Sequence, residues 1–463
     1  MAAIVGGSVL GERAGGTQAP AALQAQLDAL SAAGGGELRL APGARHLIAN
    51  GVVVPPRVTL DLNGGEIVAV LNDANAAGVR LLSDSAVENG TVSVLSRGSP
   101  GIQAGAHAPV LVGALLDENP HTGRVSPFEA PSGWRVSGMT LRSDKLVRVE
   151  NTELGAPAIQ VMGGAHRGVI EDINVPDSAR MAGGVFLDWG TVGDIRSDDV
   201  AGSARRFLAG AAYTTHPHDI AIRDIRIGRL SRSSAGEAGS MAVRLSSVHD
   251  VAVAGVAAAL VTQAGFRFTA GDLGFEFARE PSRSRAHRGV TLADMRIGSA
   301  GSHLVRTDSY ADNIGRAAQD GYRPRLPPIA PTDLRVANVS GAWNGIDGPG
   351  WGLRIDHQRG GSYQGLEARG FRYGFAIDEQ VEDVVLQRLR ARGSIDAAML
   401  VGHPHRPPRR IRVSALEATG TGADAAVLRI ERSEDIRIER SPSVTARVSP
   451  RATGLRIVDG SGD

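Results

Sequence analysis

The sequence predicts an all-β solenoid, a single right-handed parallel β-helix with a short capping helix at its N-terminal end. Three observations predict it. Short apolar strands begin near residue 37 and recur to the end of the chain. Two strand patterns interleave at a near-regular spacing, and apolar runs with a helical period are nearly absent after residue 33. Strands this short cannot each bury a face alone, but they can when each stacks on an equivalent strand one turn later.

The elements follow in order. Residues 1–19 are rich in Gly and Ala and read as a flexible arm. Residues 20–36 form the cap: Leu23, Leu27 and Leu30 make one helical apolar stripe, Pro20 suits the first turn and Gly34 the stop. A solenoid needs such a cap because its terminal coil exposes an unpaired edge. Residues 37–457 are the β-helix with loop insertions, and residues 458–463 are a tail. The strands open with Glu37-Leu38-Arg39-Leu40, the turn Pro42-Gly43, His46-Leu47-Ile48, Val52-Val53-Val54 and Val58-Thr59-Leu60-Asp61-Leu62.

Further on, one pattern reads Gly/Ala-apolar-x-apolar. It includes Gly184-Val185-Phe186-Leu187, Gly265-Phe266-Arg267-Phe268, Gly352-Leu353-Arg354-Ile355 and Gly374-Phe375-Ala376-Ile377. The other reads apolar-x-apolar-x-acid-apolar-x-apolar, as in segments 169–175, 220–227, 290–297 and 334–339. In the last third the first pattern recurs roughly every 22–28 residues, a coil length that fits a right-handed β-helix. Alternation along each strand puts one set of side chains inside and the other outside, and Phe186, Phe266, Ile355 and Ile377 are expected inside. About a dozen coils would make a rod on the order of 55–60 Å long. Spacing breaks at 119–131, 231–239, 271–288 and 306–331 mark insertions, which are where a rigid rod carries function.

The opening stretch also carries a resemblance. A helix ending in Gly34-Gly35-Gly36, a strand, Pro42-Gly43 and short Val/Ile strands resemble the start of the pectate-lyase-like superfamily. The resemblance implies a right-handed parallel β-helix. It also implies one of that superfamily's roles: polysaccharide lyase, glycoside hydrolase, or spike of a phage or phage-like particle such as a gene transfer agent. One scaffold hosts many activities, so the role must come from a site.

Composition narrows the choice. A formal net charge of +1 argues against a nucleic-acid binder, which would normally show a basic face. With Cys 0 there are no disulfides or thiolate metal sites. No run of about 18 apolar residues spans a membrane. The first residues lack the basic and apolar regions of a signal peptide. The expectation is therefore an extracellular, particle-borne protein released by lysis, or else a secreted one whose signal has been removed. Lys145 is the single lysine among 50 basic residues. Arginine forks suit the carboxylate or sulfate groups of an anionic glycan, although a GC-rich genome gives the same bias.

Catalytic motifs are partial. Ile355-Asp356-His357 with Arg406-Pro407-Pro408-Arg409-Arg410 resembles the Ile-Asp-His and Arg-Pro-x-x-Arg motifs of pectate lyases, with Arg354 where a tryptophan is expected. Asp198-Asp199 matches one of the acidic motifs of polygalacturonases, and Asp188-Trp189 lies nearby, but no Gly-His-Gly accompanies them. His216-Pro217-His218-Asp219 and His403-Pro404-His405 lack a third ligand at metal spacing, so no metal is expected. No cofactor is expected either, because no Gly-rich phosphate loop is present.

The strongest sugar-binding signal is the stretch holding Trp343, Asn344, Asp347 and Trp351. Tryptophan faces stack on sugar CH groups, and Asn and Asp fix hydroxyls. Packing beneath the neighbouring loop is an equally good use of the two rings. The adjacent insertion adds Tyr310, Tyr322, Arg323 and Arg325 to the expected glycan site. The expected function is a carbohydrate-engaging spike that binds bacterial capsular polysaccharide, with a lyase or hydrolase on an acidic polysaccharide as the alternative. Expected partners are the polysaccharide, further copies of the chain (a trimer, or a pentamer at a capsid vertex) and a particle base protein held by the N-terminal arm.

Overall fold

The computed structural model describes residues 20–71, 76–96, 108–113, 130–144, 147–149, 152–154, 156–192, 202, 205–206, 209–211, 213–232, 239–270, 288–309, 331–345, 348, 350–420 and 427–459. The chain is a right-handed parallel β-helix. A 13-stranded parallel sheet runs from Val52–Val54 to Thr445–Val448, and a 16-stranded one from Gly36–Arg39 to Arg456–Asp459. Each strand pairs with its equivalent in the coils above and below, so sheet hydrogen bonds run along the rod. The arm (residues 1–19) and most of the residues in the four insertions lie outside the described residues. Arg306 is not loop, however: it sits inside the strand His303–Ser309.

The acid in the second strand pattern has a backbone cause. Asn89, Asp172, Asp224, Asp294 and Asn338 all take left-handed φ of 51–59°, each within a long strand. Asp and Asn reach that region at less cost than other residues, and glycine reaches it freely. Gly138, Gly255 and Gly365 fill the same column in other coils. The residue bends its strand, so one long strand lines two faces of the helix. Beyond the bend, Ile173, Ile225, Val256, Met295, Val339, Leu366, Leu389 and Leu416 pair coil to coil and are buried. This aliphatic stack is one wall of the core.

The helix Pro20–Ala32 covers the first coil with Leu23 and Leu27, both buried in the core. Gln24 completes the cover. Its side-chain amide donates to the Val53 carbonyl and accepts from the Val53 N–H, both at 2.9 Å. One glutamine thus stands in for a neighbouring strand at the open edge.

Phe266, Ile355 and Ile377 lie in the lumen as alternation requires. Phe186 does not. It packs outside with Ala182, Met241 and Ala264, apart from the main core, beneath the Arg244 guanidinium at 4.4 Å. The strand Gly183–Asp188 is buried on both faces, so an apolar outer position reads like an inner one.

Candidate functional site

The outer face of the 13-stranded sheet concentrates charge over consecutive coils. Register aligns Phe186, Arg244, Arg267, Arg306 and Arg354 in one column. Two residues further along the same strands stand Asp188, Ser246, Thr269, Asp308, Asp356 and, one coil on, Asp378. A third column, at the strand starts, reads Met241, Ala264, His303, Trp351 and Tyr373. Coil stacking places like side chains about 4.8 Å apart, which turns a residue repeated per coil into a ladder.

The ladder is internally paired. Asp188 meets Arg244 at 2.5 Å and accepts from Gln160 Nε2 at 2.8 Å. Asp308 receives Arg267 and Arg306, each at 3.0 Å, and the Thr269 hydroxyl at 2.6 Å. Arg354 is shared between Asp356 and Asp378, at 3.0 Å to each. Burial works to raise the Asp308 carboxyl, but Arg267, Arg306 and the Thr269 hydrogen bond outweigh it and hold it below the usual range. Asp356 goes the other way. Burial pushes it up to about 7; Arg354 and Arg306 oppose this, while Asp378 and Asp308 add to it. Since Arg354 must also neutralise Asp378, its pull on Asp356 is divided. His303 is buried among Arg306, Arg354 and Arg267, and desolvation first, then those charges, pushes its imidazole well below its usual range.

One edge of this face is aromatic. Trp351 stacks on Tyr373 with ring centroids 4.3 Å apart and planes 15° off parallel, and the Arg354 guanidinium lies 5.3 Å from the indole. Both rings are partly exposed. His303 Nε2, Asp356 Oδ1 and Trp351 Nε1 are buried without a hydrogen-bond partner among the described residues. A neutral imidazole, a carboxyl that changes charge near neutrality and a stacked aromatic pair thus share one rigid wall. Such a wall can hold an anion, present a planar face to a sugar ring and exchange a proton.

The expected glycan residues fare unevenly. Trp343 ends the strand Arg335–Trp343, is half-buried against the core and donates from Nε1 to the Gly301 carbonyl at 2.6 Å. A Cβ on Gly350 would meet the Trp343 ring at 3.0 Å, so its packing is close. Asn344 is half-buried beside it, with its N–H on the Ala300 carbonyl. Trp351 stands on the outer face described above. Asp347, Tyr310, Tyr322, Arg323 and Arg325 lie outside the described residues, as does the Asp198-Asp199 pair.

The two halves of the lyase-like pattern meet. His357 Nε2 is 3.7 Å from Glu379 Oε1, which Arg406 also reaches at 3.0 Å. Arg409 and Arg410 are engaged instead by Glu382 and Asp383. No metal-type group of His, Asp or Glu occurs among the described residues. His218 is stacked between His166 and His249 at 4.7 and 4.6 Å, and His403 Nδ1 accepts the Arg406 N–H at 3.1 Å.

No protein-family model and no curated protein matches the chain. Solved structures do. A point mutant of the tailspike of E. coli bacteriophage HK620, in complex with a pentasaccharide, is similar over 95% of this chain and 76% of that one, with TM-score 0.51 at 10% identity. Another mutant of that tailspike, in complex with a hexasaccharide, has TM-score 0.50 at 10% identity over the same shares. The A-module of Azotobacter vinelandii mannuronan C-5 epimerase covers 96% of each chain, with TM-score 0.46 at 12% identity. At these identities the likeness to the two tailspike structures is one of fold, the right-handed parallel β-helix described above.

Proposed function

We propose that the protein is a carbohydrate-engaging spike of a phage or phage-like particle, gene transfer agents included, that binds the surface polysaccharide of bacteria. The observation that carries this reading is the partly exposed Trp351–Tyr373 stack with Arg354 beside it. Aromatic faces and guanidinium forks on a rigid sheet suit a sugar chain that spans several coils. The two tailspike complexes with oligosaccharides support it by analogy of scaffold. Asn344 and Trp343 border the same corner, and Asp347, Tyr310, Tyr322, Arg323 and Arg325 complete the proposed flank. In this reading the protein acts outside the cell on its particle, as a trimer or, at a capsid vertex, a pentamer.

Retention on immobilised capsular polysaccharides tests the reading. Trp351→Ala should weaken binding by about 1–3 kcal/mol with an unchanged melting temperature. Unaltered binding would remove Trp351 from the site. A depolymerase on an acidic polysaccharide is the second reading, favoured by Asp356 titrating near neutrality beside the ionised Asp308. Release of reducing or unsaturated ends from the same glycans distinguishes it. In the spike reading residues 1–16 are the attachment segment. Deleting them should abolish incorporation into the particle and leave glycan binding intact; the reverse result would refute that assignment.

A further inference from the structure

Among the charged residues of the outer face, one group has a charge that depends on conditions near neutrality. Three arginines (Arg267, Arg306, Arg354) face three carboxylates (Asp308, Asp356, Asp378), and every pairing runs within or between adjacent coils. Asp308 is the best supplied, with two guanidiniums and a hydroxyl. Asp356 is the worst: it shares its arginine with Asp378, and its Oδ1 is buried without a partner. At the start of the same strands, five residues back, His303 Nε2 and Trp351 Nε1 are also without partners among the described residues. Buried polar atoms without internal partners are costly, and a polar ligand lying along the strands would relieve that cost.

We propose that Arg306 and Arg354 hold the carboxylate of an acidic sugar unit, which takes over the counter-charge that Asp356 supplies when ionised. The inference rests on the polysaccharide reading and names the chemistry of its substrate. The charges favour this exchange. With Asp356 neutral, three guanidiniums face two carboxylates, leaving one positive charge for a monoanion. His303, kept neutral by burial and by Arg306, Arg354 and Arg267, adds no charge of its own and offers Nε2 to a hydroxyl. Beside Asp356 stand Arg354 on its own strand, Arg306 and Asp308 on the preceding coil, and Asp378 on the following one, while His303 lies further back at the strand start. His357 and Glu379 are the next titratable groups along those two strands.

The carboxyl of Asp356 takes up its proton as pH falls through about 7. Binding of an anionic sugar should therefore be coupled to the uptake of one proton. Affinity should rise as pH drops from 8 to 6, by about tenfold. It should level off below that until the sugar's own carboxylate protonates. A neutral sugar on the same aromatic wall should show no such slope.

The test uses the full-length protein on an array of bacterial capsular polysaccharides, acidic and neutral, each acidic one also in carboxyl-reduced form, at pH 6 and pH 8. The expected result is retention of acidic glycans, loss on carboxyl reduction and tighter binding at pH 6. Asp356→Asn should bind as well at pH 8 as the native protein does at pH 6. Arg354→Gln should lose the preference for the acidic form over the reduced one. Melting curves confirm that both variants fold. Equal retention of acidic and carboxyl-reduced glycans, or a pH slope that survives in Asp356→Asn, overturns the inference while leaving a polysaccharide-binding protein. Retention of none of the glycans overturns the polysaccharide reading itself, and this inference with it.

Discussion

Phe266→Ala should lower the unfolding free energy by about 3–5 kcal/mol, read from the urea midpoint at constant slope. The ring is sealed in the lumen at 0% exposure. Val243 lies in register on the coil before it and Val305 on the coil after. Those neighbours are fixed by the hydrogen bonds of their own strands, so the coils cannot slide together to fill the space. The cavity stays open, which puts the loss at the upper part of the range for large-to-small changes. A loss below about 1 kcal/mol would mean that the ring is not a lumen residue.

Asp308→Ala should be comparably severe, about 3–5 kcal/mol, for an electrostatic reason. The Asp308 side chain is 7% exposed and neutralises both Arg267 and Arg306, whose side chains are only 15% and 24% exposed. Removing it leaves two partly buried guanidiniums without their counter-charge. The Arg390–Glu417 pair is the contrast, since both side chains are about half exposed. Glu417→Ala should cost less than about 1 kcal/mol. The pH dependence follows from the sign of the shift. Asp308 is held below its unfolded value, so its contribution is present above that value and is lost as pH falls through the folded one. The native protein should lose stability on acidification by more than Asp308→Ala does. Equal acid sensitivity in the two would show that Asp308 is not an ion-pair partner.

The fold was legible because a solenoid repeats its rules. Gly265-Phe266-Arg267-Phe268 and Gly352-Leu353-Arg354-Ile355 declare their inner residues by alternation, and Phe266 and Ile355 are both in the lumen. Phe186 was misread as an inner residue because that strand is apolar on both sides, although alternation with the lumen residues Val185 and Leu187 puts it outside. The site was less legible. Its arginines occupy the x position of the first strand pattern, so the recurrence of Arg at x in residues 244, 267, 306 and 354 was the available signal. Reading it requires knowing which strands are adjacent, and the insertions between coils hide that. Trp351 was visible as an aromatic near turn glycines. Its stacking on Tyr373 depends on register across 22 residues, which spacing alone does not specify.

The left-handed mid-strand bends have a counterpart at the start of the same strands, where Asp84, Arg167, Asp219, Asp250, Asp333, Asp383 and Arg410 also have positive φ, with Gly133, Gly289 and Gly360 in the remaining coils. In ten coils, from Asp84 with Asn89 to Arg410 with Ala415, the two positions are five residues apart. This edge of the rod is a ruler of constant gauge, while all variation in coil length is pushed to the other corners. Lengthening a loop there leaves the gauge untouched, and removing one whole turn brings the same marks back into line. One extra residue between the marks would turn the stacked aliphatic side chains outward. The chain can therefore change what it displays along its flank without renegotiating how it coils.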